Sequence, residues 1–214
     1  KEFLNNGGKI VFIFDPMKED LPNFESLLKL YDVTLNKDLV VEGDQTRYYR
    51  SPTVLVPSLE SHDITSPLSA NNLVAVMPVS RSINLPEVEK SDIEVKPLLV
   101  SSEQSWGKVN LDSQSAEKEE GDKDGPLTIG VAITKTNSED ENKSARIVVL
   151  GTSQFISSNF AGLSGNVDLF MNSINWVHNQ KDSITIRPKT LGGEYLRITD
   201  YNMAIILAVV VILV

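Results

Sequence analysis

The chain has 214 residues, 41% hydrophobic and 23% charged, and its 29 acidic against 20 basic side chains leave a net charge of −9. A duplex-binding protein needs a basic face to displace counterions, and no Lys/Arg cluster of that kind occurs, so composition argues against nucleic acid as a partner. The absence of cysteine removes disulfides, thiolate metal sites and cysteine nucleophiles together.

In chain order, Lys1-Glu-Phe-Leu-Asn-Asn-Gly-Gly8 reads as the last turn of a helix. Phe3 and Leu4 are its apolar residues, and Gly7 or Gly8 supplies the left-handed residue that commonly ends one. Neither an initiator Met nor a signal-peptide pattern is present, so targeting information is expected upstream. Lys9-Ile-Val-Phe-Ile-Phe14 is a continuous apolar run bounded by Gly-Gly and Asp15-Pro16, which predicts a buried central strand. A helix is predicted over 20–31. Pro22 suits its first turn, and Phe24, Leu27, Leu28 and Tyr31 recur on one face. Helix, strand and helix in this order suggest a parallel α/β unit.

The middle is richer in short strands. Residues 39–42, 53–56, 73–77 and 95–100 are candidates, separated by Pro and Ser/Asn clusters. Between them, 61–68 reads as a loop leading into a short helix. Two polar stretches, 113–125 and 136–144, lack apolar periodicity and are predicted as mobile acidic surface loops. They bracket the strand 127–134, which is expected to pair with 145–150 as an antiparallel hairpin. Asn166 is predicted to cap a helix whose residues Val167, Phe170, Met171, Ile174 and Val177 form a stripe facing the core, flanked by Trp176. A last strand is predicted over 183–187.

The chain closes on Met203-Ala-Ile-Ile-Leu-Ala-Val-Val-Val-Ile-Leu-Val214, twelve residues without a charge. A membrane-spanning helix needs about 20 apolar residues, whereas a run of about 10–14 also suits a buried core element. Because the run continues to the last residue, a transmembrane helix starting near Tyr201 is expected, with the tyrosine at the interfacial level. Arg187, Lys189 and Arg197 precede it. Taken alone, the positive-inside rule would put that basic flank in the cytoplasm.

Candidate chemistry is sparse. Gly151-Thr-Ser-Gln-Phe155 follows a strand, as the nucleophile elbow of α/β hydrolases does, but Phe155 stands where that turn needs a small residue. His62 and His178 are the only histidines. Asp122-x-Asp124-Gly125 resembles the opening of an oxygen-ligand loop, but Pro126 and Ile133 fall where ligands are wanted. His62-Asp63 has no second histidine nearby, which gives zinc little support. Asp15 lies just past a strand end, where open α/β sheets bind ligands, although Asp-Pro there is also ordinary turn chemistry. Asp15, Gly151 and Ser153 are therefore the candidate ligand-binding residues. No metal site, no catalytic residue and no cofactor is assigned, and a binding or interaction role is expected over catalysis.

Several segments in order resemble a known family. Phe3 to Pro16, Leu21-Pro-Asn-Phe24 with Leu27-Leu28, and His62-Asp-Ile-Thr65 open the match. Ala145-Arg-Ile-Val-Val-Leu-Gly-Thr-Ser-Gln-Phe155 and Asn172-Ser-Ile-Asn-Trp-Val177 continue it, and Ile184-Thr-Ile-Arg-Pro-Lys189 leads into the apolar tail. This order resembles the auxiliary proteins of ABC-type transport systems associated with gliding motility, the GldG type. The resemblance implies an α/β fold, a Rossmann-like (glutamine-amidotransferase-like) sheet with helices, extra β hairpins and a C-terminal transmembrane helix. It is also similar to a module of intraflagellar-transport proteins.

The resemblance further implies an extracytoplasmic domain over residues 1–200, the start of a transmembrane helix over 201–214, and anchoring in the cell membrane. Its partners would be membrane lipid through that helix and an ABC transporter permease. The alternative is an extracytoplasmic module that binds a saccharide or peptide. An acidic residue is expected in the turn before Phe155, where this sequence has Ser153-Gln154.

Overall fold

The architecture is taken from a computed structural model that describes residues 2–88, 90–113, 115–137 and 143–178. All of these belong to the unit Lys1–Ser183. The chain enters through α1 (Glu2–Asn5), which Gly7 ends in the left-handed region at φ +80°. The Gly7 N–H donates to the Leu4 carbonyl at 3.1 Å. A side chain there would meet the Lys143 backbone at 2.7 Å, so both conformation and space select glycine. Strand β1 (Lys9–Ile13) follows. Helix α2 (Pro22–Leu28) starts on its proline and tightens into a 3-10 turn, Lys29–Tyr31. Leu28 and Tyr31 are buried, while Phe24 is half-exposed and sets its edge against Phe12 and Phe14.

The middle of the chain makes β2 (Thr34–Leu35), β3 (Leu39–Val41), β4 (Val54–Leu55), β5 (Ser58–Leu59), α3 (Ser66–Ala70), β6 (Met77–Pro78) and β7 (Ile83–Asn84). The long β8 (Ile93–Val100), then β9 (Trp106–Lys108) and β10 (Lys123–Asp124), follow. Small antiparallel sheets pair β2 with β7 and β4 with β6, and set β9 between β3 and β10. The strand predicted over 73–77 shrinks to its last residue, in β6. Its backbone groups are taken elsewhere: Val74 by Ser164 and Gly165, Val76 by the Asn166 side chain.

The first acidic stretch is hydrogen-bonded over its described residues. The Lys108 ammonium, almost fully buried, donates to the Glu119 carboxylate at 2.7 Å and the Glu117 carbonyl at 2.9 Å. The Asp122 carboxylate accepts the Val109 and Glu119 N–H groups, and Asp124 pairs with Lys118. The carboxylates read as the opening of an oxygen-ligand loop are thus engaged within the loop.

The main sheet is completed by β11 (Thr128–Lys135) and β12 (Ala145–Leu150). Its order is β1-β12-β11-β8-β5. β11 and β12 form the predicted antiparallel hairpin, β8 and β5 continue antiparallel, and β1 pairs parallel with β12 from Lys9↔Arg146 to Ile13↔Leu150. The fold is therefore mixed α/β, and its main sheet has one parallel and three antiparallel pairings among the described strands. β1 is the outermost described strand rather than a central one, and each of its residues is only half-buried. Its run is continuously apolar because both faces of the sheet are covered. Along β12, Val148 and Leu150 enter one core cluster while Ile147 and Val149 enter the other. Each such side chain contributes about 1.5–3 kcal/mol on burial.

Helix α4 (Asn166–Val177) covers the first of these faces. Its amphipathicity is as predicted, but its buried face is rotated. Asn166, Leu169, Ser173 and Val177 are buried, and Val167 and Met171 are 43% and 38% exposed. The sequence pattern misleads because two polar residues are satisfied inside. The Ser173 hydroxyl donates to the Leu169 carbonyl at 2.7 Å, and Asn166 bonds loops across the core instead of capping its own helix, whose N-cap is Gly165. Among the described residues no helix is long and apolar enough to cross a membrane. The expected helix from Tyr201, the strand 183–187 and the centre of the second acidic stretch lie outside the described residues.

Candidate functional site

The three residues singled out in the sequence meet at the carboxyl ends of the parallel pair β1–β12. The ladder runs one residue past β1, with the Phe14 N–H donating to the Leu150 carbonyl at 2.9 Å. This sets Asp15 beside the turn that follows β12. There the Asp15 carboxylate accepts the Ser153 N–H at 2.6 Å on one oxygen and the Ser153 hydroxyl at 2.7 Å on the other. Gly151 holds the turn against the sheet: its N–H donates to the Ile129 carbonyl and its carbonyl accepts the Arg81 N–H, both at 2.9 Å. A side chain on Gly151 would collide with the Arg81 carbonyl oxygen. The Thr152 hydroxyl donates to the Pro78 carbonyl at 2.6 Å, and Phe155 closes the turn in the core.

Beneath this turn lies Arg81, which sequence reading missed. It is the largest fully buried side chain described. Its Nε and Nη2 donate to the Asn36 carbonyl at 2.8 and 2.5 Å, and Nη1 donates to the Asp15 carbonyl at 3.3 Å. Burial pushes its pKa below the ordinary value, and the nearby Asp38 and Glu25 charges oppose that shift. Asp38, itself buried, spends its carboxylate on the Ser82 N–H and hydroxyl. Arg81 thus fastens two loops through their carbonyls, with a carboxylate near but not bonded to it. A lone arginine between short strands carries no periodic signal that marks it for such a role.

The serine–histidine arrangement of a hydrolase is not formed. The Ser153 hydroxyl donates to Asp15. His62 accepts the Ile64 N–H on Nδ1 at 3.2 Å and faces the Trp176 ring at 5.0 Å, while His178 stands at the end of α4. The acidic group expected within the turn before Phe155 instead reaches it from Asp15, on the neighbouring strand end. Described cavities line other segments: one of 850 Å³ runs beside Ile83 and Asn84, and one of 380 Å³ beside Trp176.

The family profile described as "ABC-type uncharacterized transport system" matches residues 1–181. The chain belongs to that family. Membership identifies it as an auxiliary component of an ABC-type transport system. No curated protein matches this family member. A solved structure of the mmIFT52 N-terminal domain is similar to it, with a TM-score of 0.56 over 82% of this chain and 67% of that chain, at 16% identity. At that identity the likeness is one of fold, and it accords with the expected resemblance to an intraflagellar-transport module.

Proposed function

We propose that this transport auxiliary is a membrane-anchored, non-catalytic subunit of the gliding-motility (GldG-like) kind. Its α/β domain stands outside the cytoplasmic membrane, is held there by the helix beginning near Tyr201, and engages a permease subunit and lipid. We read the sheet as a Rossmann-like one with antiparallel additions, on the strength of the parallel β1–β12 pair, the helix α4 packed across it and the likeness to the mmIFT52 domain.

The observation that carries the non-catalytic reading is the closed pair Asp15–Ser153. At the strand ends where an α/β sheet would hold substrate, the carboxylate has both oxygens engaged and the hydroxyl is a donor to it. A nucleophilic serine needs a general base to take its proton, with the base oriented by a third group. The alternative, an extracytoplasmic module for a saccharide or peptide, draws on the same convergence of polar groups at Asp15, Gly151 and Ser153.

These 214 residues have no cysteine, so one introduced by Ala116→Cys, in the exposed part of the first acidic stretch, reports the location of that stretch once any cysteine elsewhere in the full-length protein is replaced by serine. In intact cells carrying the full-length protein, a membrane-impermeant maleimide is expected to label it, and a chemical crosslinker to join the protein to a permease. Labelling only after lysis would overturn the proposed orientation. Labelling without permease capture would favour the ligand module.

A further inference from the structure

At the opposite end of the same strand pair, two cations stand side by side. Lys9 and Arg146 are direct partners in the parallel register, so their side chains share the face covered by α4. Like charges directly opposite in a sheet repel. Neither makes an ion pair among the described residues. The Lys9 ammonium donates to the Ser144 carbonyl at 2.6 Å. Arg146 Nη1 donates to the Trp176 carbonyl at 2.8 Å, and its guanidinium lies over the Trp176 ring at 5.1 Å. Burial first, and then the Arg146 charge, hold the Lys9 pKa below the usual lysine value.

Arg146 opens onto a cavity of 380 Å³ that also takes in Thr134, His62, Lys96 and Trp176. Thr134 is the cross-strand partner of Arg146. His62 uses Nδ1 to accept the Ile64 N–H, which leaves Nε2 as its N–H donor. Of the two carboxylates at the cavity, Glu94 is already paired with Lys96 at 2.7 Å, and Asp63 lies exposed at the rim.

We propose that this cavity binds an anionic group, a carboxylate or a phosphate, with Arg146 as the principal contact and Lys9, its neighbour on β1 and outside the cavity lining, as a second charge acting at longer range. The Thr134 hydroxyl and His62 Nε2–H are neutral donors beside them. A guanidinium is planar, and with Nη1 fixed on the Trp176 carbonyl its remaining N–H groups suit two-point contact with a carboxylate or phosphate. An arriving anion would also relieve the Lys9–Arg146 repulsion, so the unpaired cations and the cavity have one explanation. This site lies at the amino ends of β1 and β12, away from Asp15 and Ser153, and does not depend on the orientation proposed above.

Trp176 is a built-in reporter. In a Trp106→Phe background it is the sole tryptophan of these 214 residues, and the signal lost on Trp176→Phe is its own. Its fluorescence, in the full-length protein, is titrated with inorganic phosphate and separately with succinate, with sodium chloride holding ionic strength constant. A saturable change is expected with at least one anion. Phosphate alone would identify a phosphate-bearing ligand, succinate alone a carboxylate, and both the shared chemistry. Lys9→Gln is expected to weaken binding about threefold and Arg146→Gln about tenfold, as loss of a charge-assisted hydrogen bond implies. Arg146→Lys keeps the charge and is expected to bind more tightly than Arg146→Gln. If Arg146→Gln fails to fold, Lys9→Gln and Arg146→Lys carry the comparison. No saturable response to either anion, or affinities unchanged in the folded variants, would overturn the proposal.

Discussion

Asp15 and Ser153 are 138 positions apart in sequence, yet the carboxylate of one takes both the N–H and the hydroxyl of the other, at 2.6 and 2.7 Å. The contact closes the carboxyl ends of β1 and β12 like a clasp. Removing the hydroxyl with Ser153→Ala is expected to cost about 1 kcal/mol, and Asp15→Ala about 1–3 kcal/mol, because it strands the Ser153 N–H as well. The two changes share one interaction, so their costs will not add, and a double-mutant cycle by urea unfolding should show coupling of about 0.5–3 kcal/mol. Strict additivity would mean that the bond between the Ser153 hydroxyl and the Asp15 carboxylate contributes nothing to stability.

Gly151 tests the same turn from its backbone side. An added methyl would collide with the Arg81 carbonyl and lie 3.1 Å from the Ile129 carbonyl, and both are backbone atoms that cannot swing away. Gly151→Ala is expected to destabilise by about 1–3 kcal/mol, the range of an overpacked interior. Gly162, with nothing within 4 Å of a built methyl, is the control: Gly162→Ala is expected to change stability by less than about 0.5 kcal/mol. Equal melting temperatures for the two variants would refute the steric argument.

What the sequence disclosed, and what it did not, follows from the range of each signal. The placement of Asp15, Gly151 and Ser153 at strand ends is legible because those ends are marked by local punctuation, an Asp-Pro and a Gly after apolar runs. The β11–β12 hairpin was legible for the same reason. That β1 and β12 are parallel neighbours depends on pairing between distant segments, which no local pattern carries. Strands β4 to β7, two residues each, are too short for alternation to register. Arg81 and Asn166 escaped because their roles lie in bonds to carbonyls of other loops, and a polar residue in the interior runs against the pattern by which a core is read.

Asn166 makes this concrete. It is fully buried, accepts the Val76 N–H at 2.7 Å, and donates to the carbonyls of Val76, Phe155 and Phe160 at 2.9 to 3.0 Å. Asn166→Ala leaves the Val76 N–H without this partner inside the core, along with carbonyls that lose theirs. An unsatisfied buried group costs about 1–3 kcal/mol, so the total loss should exceed that of Ser153→Ala. Asn166→Asp is expected to be worse, since a buried carboxylate would face carbonyl oxygens with no donor to offer them. Chemical denaturation of the three variants ranks them, and a neutral Asn166→Ala would remove the cross-core role.

The last prediction concerns acid. The Glu119 carboxyl is held down to about 2 from 4.5, first by its hydrogen bond from Lys108, then by those from Ser113 and Asn110. A folded-state pKa below the unfolded one stabilises the ionised, folded form. That contribution is present in full above the unfolded value of 4.5 and is lost as the pH falls from there through about 2. The bonds joining Lys108, Ser113 and Asn110 to Glu119 should therefore survive at pH 3, where an ordinary glutamate would be protonated. Carboxyl NMR titration of Glu119 reads this directly. In Lys108→Met, which removes the largest cause, the midpoint should move back toward 4.5. A Glu119 midpoint near 4.5 in the unaltered chain would show that Lys108 does not hold the acidic stretch in the manner described.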